Sequence, residues 1–238
     1  MSLPEAFCWT KFGDESGEQV LSIFQRKEVE RHRNGGVFLW GIGQSIRPSL
    51  LRLLRVTTTP EVLFSPIRSA SSELDVSPKA VAVWCDALDL DGRPYRLPKY
   101  SLVTSRSEGK RACHFALVCA SSVPVIPGEC NHPRIALGEL RNLASGSRLG
   151  SSQVTSVVRR VPCKEQPRIE YPIMVQARLV YPYLIRLTRQ VMVPSALRLD
   201  TPGGVDLDTA TEKLLRLRRQ HAGDGICEQL GLPASPAM

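Results

Sequence analysis

Each of the three tryptophans lies in a predicted strand, close in the sequence to a polar side chain. A base flipped out of a duplex needs an aromatic face to stack on, and polar groups that read its edge. Ordinary core packing would place a tryptophan in a strand equally well. The pattern predicts a base pocket, whose members would be Trp9, Lys11, Trp40, Gln44, Ser45 and Trp84.

A glycine-rich turn, Gly41-Ile42-Gly43-Gln44-Ser45, follows an apolar run. It is not a dinucleotide fingerprint, because Ile46 stands where the third glycine belongs, and it lacks the lysine of a P-loop. What remains is a corner between a strand and a helix, with exposed amides that suit a phosphate or the polar edge of a base. A tight corner that only serves packing is the alternative.

Two further segments combine short hydroxyl or amide side chains with arginine or lysine, as phosphate-binding turns do. The first is the predicted turn before the strand that contains His114, and the second joins a Gly/Ser-rich loop to an apolar run. The phosphate-binding residues predicted on this basis are Thr104, Ser105, Arg106, Lys110, Ser151, Ser152, Gln153, Arg159 and Arg160.

Side chains that could perform catalysis are few. Excision of a base requires a group that positions water and stabilises a cation-like sugar, and Asp86, two residues after Trp84, fits best. His114 could act as a general base, although a single histidine on a strand more often has a structural role. A serine nucleophile is unsupported, because the chain has no G-x-S-x-G elbow.

The seven cysteines include no C-x-x-C pair, which argues against a zinc ribbon and a disulfide framework. Cys130-Asn131-His132 would place two ligands almost side by side, with no second pair to complete a site. We therefore expect no metal and no cofactor, and cysteines that act as small core residues.

The positive charge is concentrated in one third of the chain. Between Arg141 and Arg219 there are fourteen lysines and arginines against six acids, which accounts for the whole net charge of +8. Such a localised field indicates a polyanionic partner, nucleic acid and most simply DNA. The alternative is an arginine-rich surface without a specific partner.

The elements that must position these residues follow from periodicity. We predict strands over 6–12, 37–42, 61–69 and 111–120, a hairpin that begins with a strand at 79–88, and helices in 13–36, 47–56 and 208–222. The segment 171–193 alternates over 173–187, and its Pro182 marks an edge, a bulge or a break between two strands. A short helix is expected near 135–144, within a long irregular connection. The fold class is α+β, with a mixed, mostly antiparallel sheet or partial barrel and flanking helices.

Composition sets the remaining expectations. Hydrophobic residues make up 42% of the chain and charged residues 23%, which is ordinary globular usage. No apolar run is long enough for a membrane span or carries the flanks of a signal peptide. We expect a cytoplasmic protein with one domain over residues 1–222 and a flexible tail over 223–238.

The order of elements in residues 6–120 resembles the PUA-like group of small β-barrels, which includes the EVE, ASCH, YTH and SRA modules. The resemblance rests on the strand "FCWTKF", the Gly-led strand "GGVFLWGIG" and the strand "VAVWCDAL". It implies an aromatic pocket for a modified or flipped base, and some relatives hydrolyse one. Three hypotheses follow: a DNA glycosylase that acts on a modified base, a non-catalytic RNA- or DNA-binding module, and a small-molecule hydrolase that uses His114 and a serine.

Overall fold

The computed structural model describes residues 3–13, 20–67, 81–99, 101, 114–124, 133–162 and 169–193. The chain divides into two compact units. The first comprises Met1–Asp14, Ile46–Ser72 and Cys119–Val180, and the second comprises Glu15–Ser45, Glu73–Val118 and Tyr181–Met238. The predicted single domain over residues 1–222 stays a prediction.

The elements in chain order are β1 (Ala6–Phe12), α1 (Val20–Arg33), β2 (Val37–Ile42), α2 (Arg47–Val56), β3 (Glu61–Pro66), β4 (Val81–Leu88), β5 (Phe115–Pro124), β6 (Arg134–Ala136), a 3₁₀ turn (Leu137–Glu139), β7 (Leu140–Asn142), β8 (Thr155–Arg160), β9 (Glu170–Pro172) and β10 (Val175–Val193). Eight strands form an open sheet in the order β2-β5-β10-β3-β1-β8-β7, with β4 also paired to β10. The β1–β3 pair is parallel, whereas β1–β8, β3–β10, β4–β10 and β7–β8 are antiparallel. The predicted α+β class with a mixed, mostly antiparallel sheet is confirmed.

The first unit is built around β1, which lies between β3 and β8 and is buried along almost its whole length. Phe7 and Trp9 contribute to a core cluster with Leu63 of β3 and Val158 of β8. Helix α2 packs against β1 and β8, and its Leu50 and Leu53 are fully buried. A strand covered on both faces carries a continuous apolar run, and this is why "AFCWTKF" shows little alternation.

The second unit contains α1, which packs against β2. Phe24 of α1 stacks on Trp40 of β2, with ring centroids 5.6 Å apart and an interplanar angle of 20°. Helix α1 also contains a buried charged group, called the Glu30 group below. In it the Glu30 carboxylate accepts hydrogen bonds from Arg26 Nη1 and from Lys27 Nζ, each at 2.8 Å. All three charged side chains are buried.

One expectation for local structure needs correction. Residues 135–144 form β6, the 3₁₀ turn and β7 rather than a helix, because β6 pairs with β9 and β7 pairs with β8. The turn of the hairpin expected after β4 is present: Leu88 and Pro94 form a bridge, Asp89 N–H donates to the Arg93 carbonyl at 2.8 Å, and Tyr95 N–H donates to the Ala87 carbonyl at 2.9 Å. The end of the predicted return strand lies outside the described residues, and the strand that pairs with β4 over most of its length is β10. The predicted C-terminal helix and tail lie outside the described residues.

Candidate functional site

Lys11 lies where β1 continues past the beginning of β8. The β1–β8 pairing runs to Thr10 and Thr155, whose hydroxyls are 2.8 Å apart. Before Thr155 the chain forms a loop over residues 150–154, which stays attached to β1 because the Lys11 backbone N–H donates to the Val154 carbonyl at 2.8 Å. The Lys11 Nζ donates a hydrogen bond to the Ser151 carbonyl of this loop.

Two aromatic rings flank the Lys11 ammonium. Its Nζ lies 5.6 Å from the ring centroid of Trp9 and 5.1 Å from that of Tyr171, within the range of cation–π attraction. The two rings meet edge to face, with centroids 5.2 Å apart. Trp9 is fixed in place because its indole N–H donates to Ser65 Oγ at 2.9 Å. Lys11, Trp9, Tyr171 and Ser151 are called the Lys11 site below.

The electrostatics of the Lys11 site are unusual for a lysine. Only 5% of Lys11 is exposed, and burial lowers the pKa of its ammonium below the ordinary value. Within the described part of the chain, no carboxylate lies within 4.0 Å of its Nζ. An ammonium has three N–H donors, so a group with acceptor atoms could be bound here.

The other predicted pocket residues belong to the second unit. Trp40 and Trp84 are buried, whereas Gln44 and Ser45 are exposed after β2. The six predicted members therefore fall in two units, and the pocket as a whole stays a prediction. Tyr171 was not anticipated, because it is 160 residues from Lys11 and no local pattern marks it.

The candidate catalytic residues Asp86 and His114 also lie in the second unit. The rings of Trp84 and His114 are 5.9 Å apart, and His114 is exposed. Asp86 is half-buried on β4, opposite an irregularity in the β10 register between Leu187 and Gln190. Bulges of this kind occur next to active sites, although they also occur elsewhere at sheet edges.

The predicted phosphate-binding residues have different environments. Ser151, Ser152 and Arg159 are exposed, whereas Gln153 is half-buried and accepts a hydrogen bond from Ser156 Oγ at 3.4 Å. Arg160 pairs with Glu139 at 3.2 Å, so its guanidinium already has an anionic partner. The members of the other predicted turn lie outside the described residues: Thr104, Ser105, Arg106 and Lys110.

Other chemistry finds little support among the described residues. They contain no group of three or more His, Cys, Asp or Glu side chains that could hold a metal ion. Burial raises the pKa of the Cys8 thiol to about 12, so this thiol stays protonated and is a poor nucleophile. Neither described helix is long and apolar enough to cross a membrane.

Comparisons with family models, with curated proteins and with solved structures give no match for this chain. Its function is therefore inferred from the residues themselves.

Proposed function

We propose that the protein binds nucleic acid and holds an unstacked base, modified or flipped out of a duplex, at the Lys11 site. The observation that supports this is the Lys11 ammonium, buried between two aromatic rings with a single hydrogen-bond partner in the described chain, the Ser151 carbonyl. Burial of a cation without a paired carboxylate lowers the free energy of unfolding by roughly several kcal/mol, because the ion loses its hydration. A bound acceptor group would offset that cost.

A nucleobase has the chemistry that this site lacks. Its carbonyl oxygens and ring nitrogens accept hydrogen bonds in the plane of the ring, and its face stacks on aromatic side chains. In our proposal a base carbonyl accepts from Lys11 Nζ in addition to the Ser151 carbonyl, since an ammonium has three N–H donors. The exposed side chains of Ser151 and Ser152 move aside, and the half-buried Tyr171 provides the stacking face. Trp9, which is 1% exposed, supports Lys11 from behind.

Substitution of Lys11 by methionine tests the proposal, because methionine keeps the unbranched shape of the side chain and removes its charge and donors. We expect Lys11→Met to lose the preference for a duplex that contains an unpaired or modified base over a matched duplex. One hydrogen bond from a charged donor contributes about 1.5–3 kcal/mol, so the preference should fall about 10- to 100-fold. Fluorescence anisotropy with labelled duplexes measures both dissociation constants.

The exposed Lys99 offers a matched control, since Lys99→Met removes the same charge elsewhere on the chain. We expect this variant to keep the wild-type preference. If Lys11→Met discriminates between the two duplexes as well as wild type does, the Lys11 site does not hold the base.

Excision of a base by the second unit is a second candidate function, favoured by the half-buried Asp86 opposite the irregular segment of β10 and near Trp84 in the sequence. In that reaction the Asp86 carboxylate would position the water and take one of its protons as the water oxygen bonds to the sugar C1′; the N-glycosidic bond would break, and the base would leave with a proton. Incubation with modified duplexes followed by alkali would then yield strand breaks with wild type and none with Asp86→Asn. Binding without strand breaks on any duplex would indicate a nucleic-acid-binding protein that does not excise the base.

A further inference from the structure

Three arginines of the first unit stand side by side at the β7 edge of the sheet. Arg159 of β8 is directly opposite Arg141 of β7, and Arg141 is bridged to Arg148, which follows the turn after β7. Directly opposite residues in antiparallel pairs share a face, and neighbouring strands are about 4.8 Å apart. The arginine row, Arg159-Arg141-Arg148, therefore spans about 10 Å on one face.

The arginine row has no acidic partner among the described residues. Elsewhere in this unit Arg160 meets Glu139 at 3.2 Å and Arg134 meets Glu170 at 3.7 Å. In the row, by contrast, the Arg141 guanidinium donates to the carbonyls of Gly138 and Leu140, and no described carboxylate pairs with Arg148 or Arg159. Like charges directly opposite one another destabilise a sheet, so the row carries a cost that a bound anion would remove.

The turn that carries Arg148 is rigidly held. Asn142 Oδ1 accepts from the backbone N–H groups of Ala144 and Ser145 at 2.8 and 3.1 Å. Gly146 has φ 71°, a conformation that glycine adopts without strain. The backbone of the turn is thus held in place, so that ordering of the arginine side chains is the main entropic cost of binding.

Helix α2 adds charge beside this turn. Its Arg52 Nη1 donates to the Ala144 carbonyl, and its Ser49 Oγ donates to Asn142 Oδ1 at 3.4 Å. Arg52 and Arg55 are both exposed. The helix and the arginine row therefore border the same turn, and together they present five guanidinium groups.

We infer that this arginine surface, Arg52, Arg55, Arg141, Arg148 and Arg159, docks the phosphodiester backbone of a nucleic-acid duplex. The choice of nucleic acid as the polyanion rests on the proposed function, which the surface extends from the base to the backbone. Guanidinium groups bind phosphate oxygens in a bidentate manner, which makes arginine rather than lysine the fitting residue. Single strands are bound through stacking on aromatic side chains, and none of the five residues that define the surface is aromatic, which favours a duplex.

The salt dependence of duplex binding tests the inference. Each neutralised phosphate contributes about 0.9 to the slope of log K against log salt concentration. We expect the triple variant Arg141→Gln, Arg148→Gln, Arg159→Gln to reduce the magnitude of that slope by about 3 for a matched DNA duplex. The double variant of the exposed Arg148 and Arg159 should reduce it by about 2, and it serves if the triple variant does not fold.

A control double removes the same charge as the Arg148 and Arg159 double, from arginines of the same unit that face an acid: Arg134→Gln and Arg178→Gln, where Arg178 lies opposite Glu61 in the β3–β10 register. Its slope should stay within about 1 of wild type. A wild-type slope in the arginine-row variants, or an equal loss in the control double and the row double, would overturn the inference.

Two further measurements separate the possible outcomes. Arginine-row variants should weaken binding to matched and base-modified duplexes equally and keep the preference between them. Lys11→Met should change only that preference. The base-binding proposal and the backbone-docking inference can therefore fail independently. Parallel titrations with DNA and RNA duplexes identify the source of the backbone. Row-dependent binding to phosphatidylserine vesicles, without binding to either duplex, would contradict the inference and indicate a membrane surface.

Discussion

Replacement of Glu30 by glutamine is expected to lower the free energy of unfolding by about 3–5 kcal/mol, the usual cost of breaking a buried ion pair from one side. Glu30 is 0% exposed, and its carboxylate accepts from Arg26 Nη1 and Lys27 Nζ. Glutamine keeps the size of the side chain but removes the buried negative charge that both cations contact. Urea denaturation followed by tryptophan fluorescence measures the loss, because Trp40 stacks on Phe24 of the same helix.

The same helix supplies a matched control. Glu28 pairs with Arg31 three residues later, but its side chain is 49% exposed. An exposed pair contributes about 0–1 kcal/mol, so Glu28→Gln should change the free energy of unfolding very little. Equal losses in the two variants would show that the burial of the Glu30 group does not decide its contribution.

The sequence predicts helix α1 but not the burial of its Glu30 group. The spacing of Val20, Ile23, Phe24 and Lys27 predicts a helix with one face toward the core, and the helix is present over Val20–Arg33. Charges three and four residues apart usually lie on the solvent side, where they contribute a few tenths of a kcal/mol. Here burial by the rest of the unit decides their environment, and no local pattern reports it.

The local sequence predicts some of the strands correctly and fails to predict others. The strands predicted over 6–12 and 37–42 are confirmed as β1 and β2, and α2 coincides with 47–56, because continuous apolar runs or a proline in the first turn mark them. Residues 135–144 contain too few residues per strand for such a signal. Their pairing with β9 and β8 overrides a weak helical spacing, as tertiary contacts often do.

The Lys11 site likewise contains some residues that the local sequence predicts and others that it does not. Trp9 and Lys11 are two positions apart on a strand, a spacing that places both side chains on one face, and the structure brings Lys11 Nζ to within 5.6 Å of the Trp9 ring. The prediction that Ser151 binds phosphate stays a prediction, and the hydrogen bond from Lys11 to its carbonyl was not predicted. Tyr171 and the alignment of Arg148, Arg141 and Arg159 depend on strand register, which no short segment of this sequence specifies.

We expect the buried Lys11 ammonium to lower the free energy of unfolding, although the same ammonium forms the proposed binding site. Taking an ammonium out of water costs several kcal/mol, whereas one hydrogen bond and two ring contacts offset only part of it, about 0.5–2 kcal/mol for each ring. The lowered pKa of Lys11 has the same origin, since burial disfavours the charged form. Such a departure from good packing is expected where a side chain serves binding.

Lys11→Met is therefore expected to raise the free energy of unfolding at pH 7 by about 1–4 kcal/mol, as apolar replacements of buried charges often do, while it abolishes base discrimination. Because the folded-state pKa of Lys11 lies below its ordinary value of 10.5, the unfolded chain binds more protons between the two values. The stability of wild type relative to Lys11→Met should then rise with pH through that window and level off above 10.5. Urea denaturation of both proteins between neutral and alkaline pH measures the difference, and Lys99→Met serves as the exposed control. A variant that is less stable than wild type at pH 7, or a difference that does not change with pH, would show that the Lys11 ammonium stabilises the fold and is not held there at a cost.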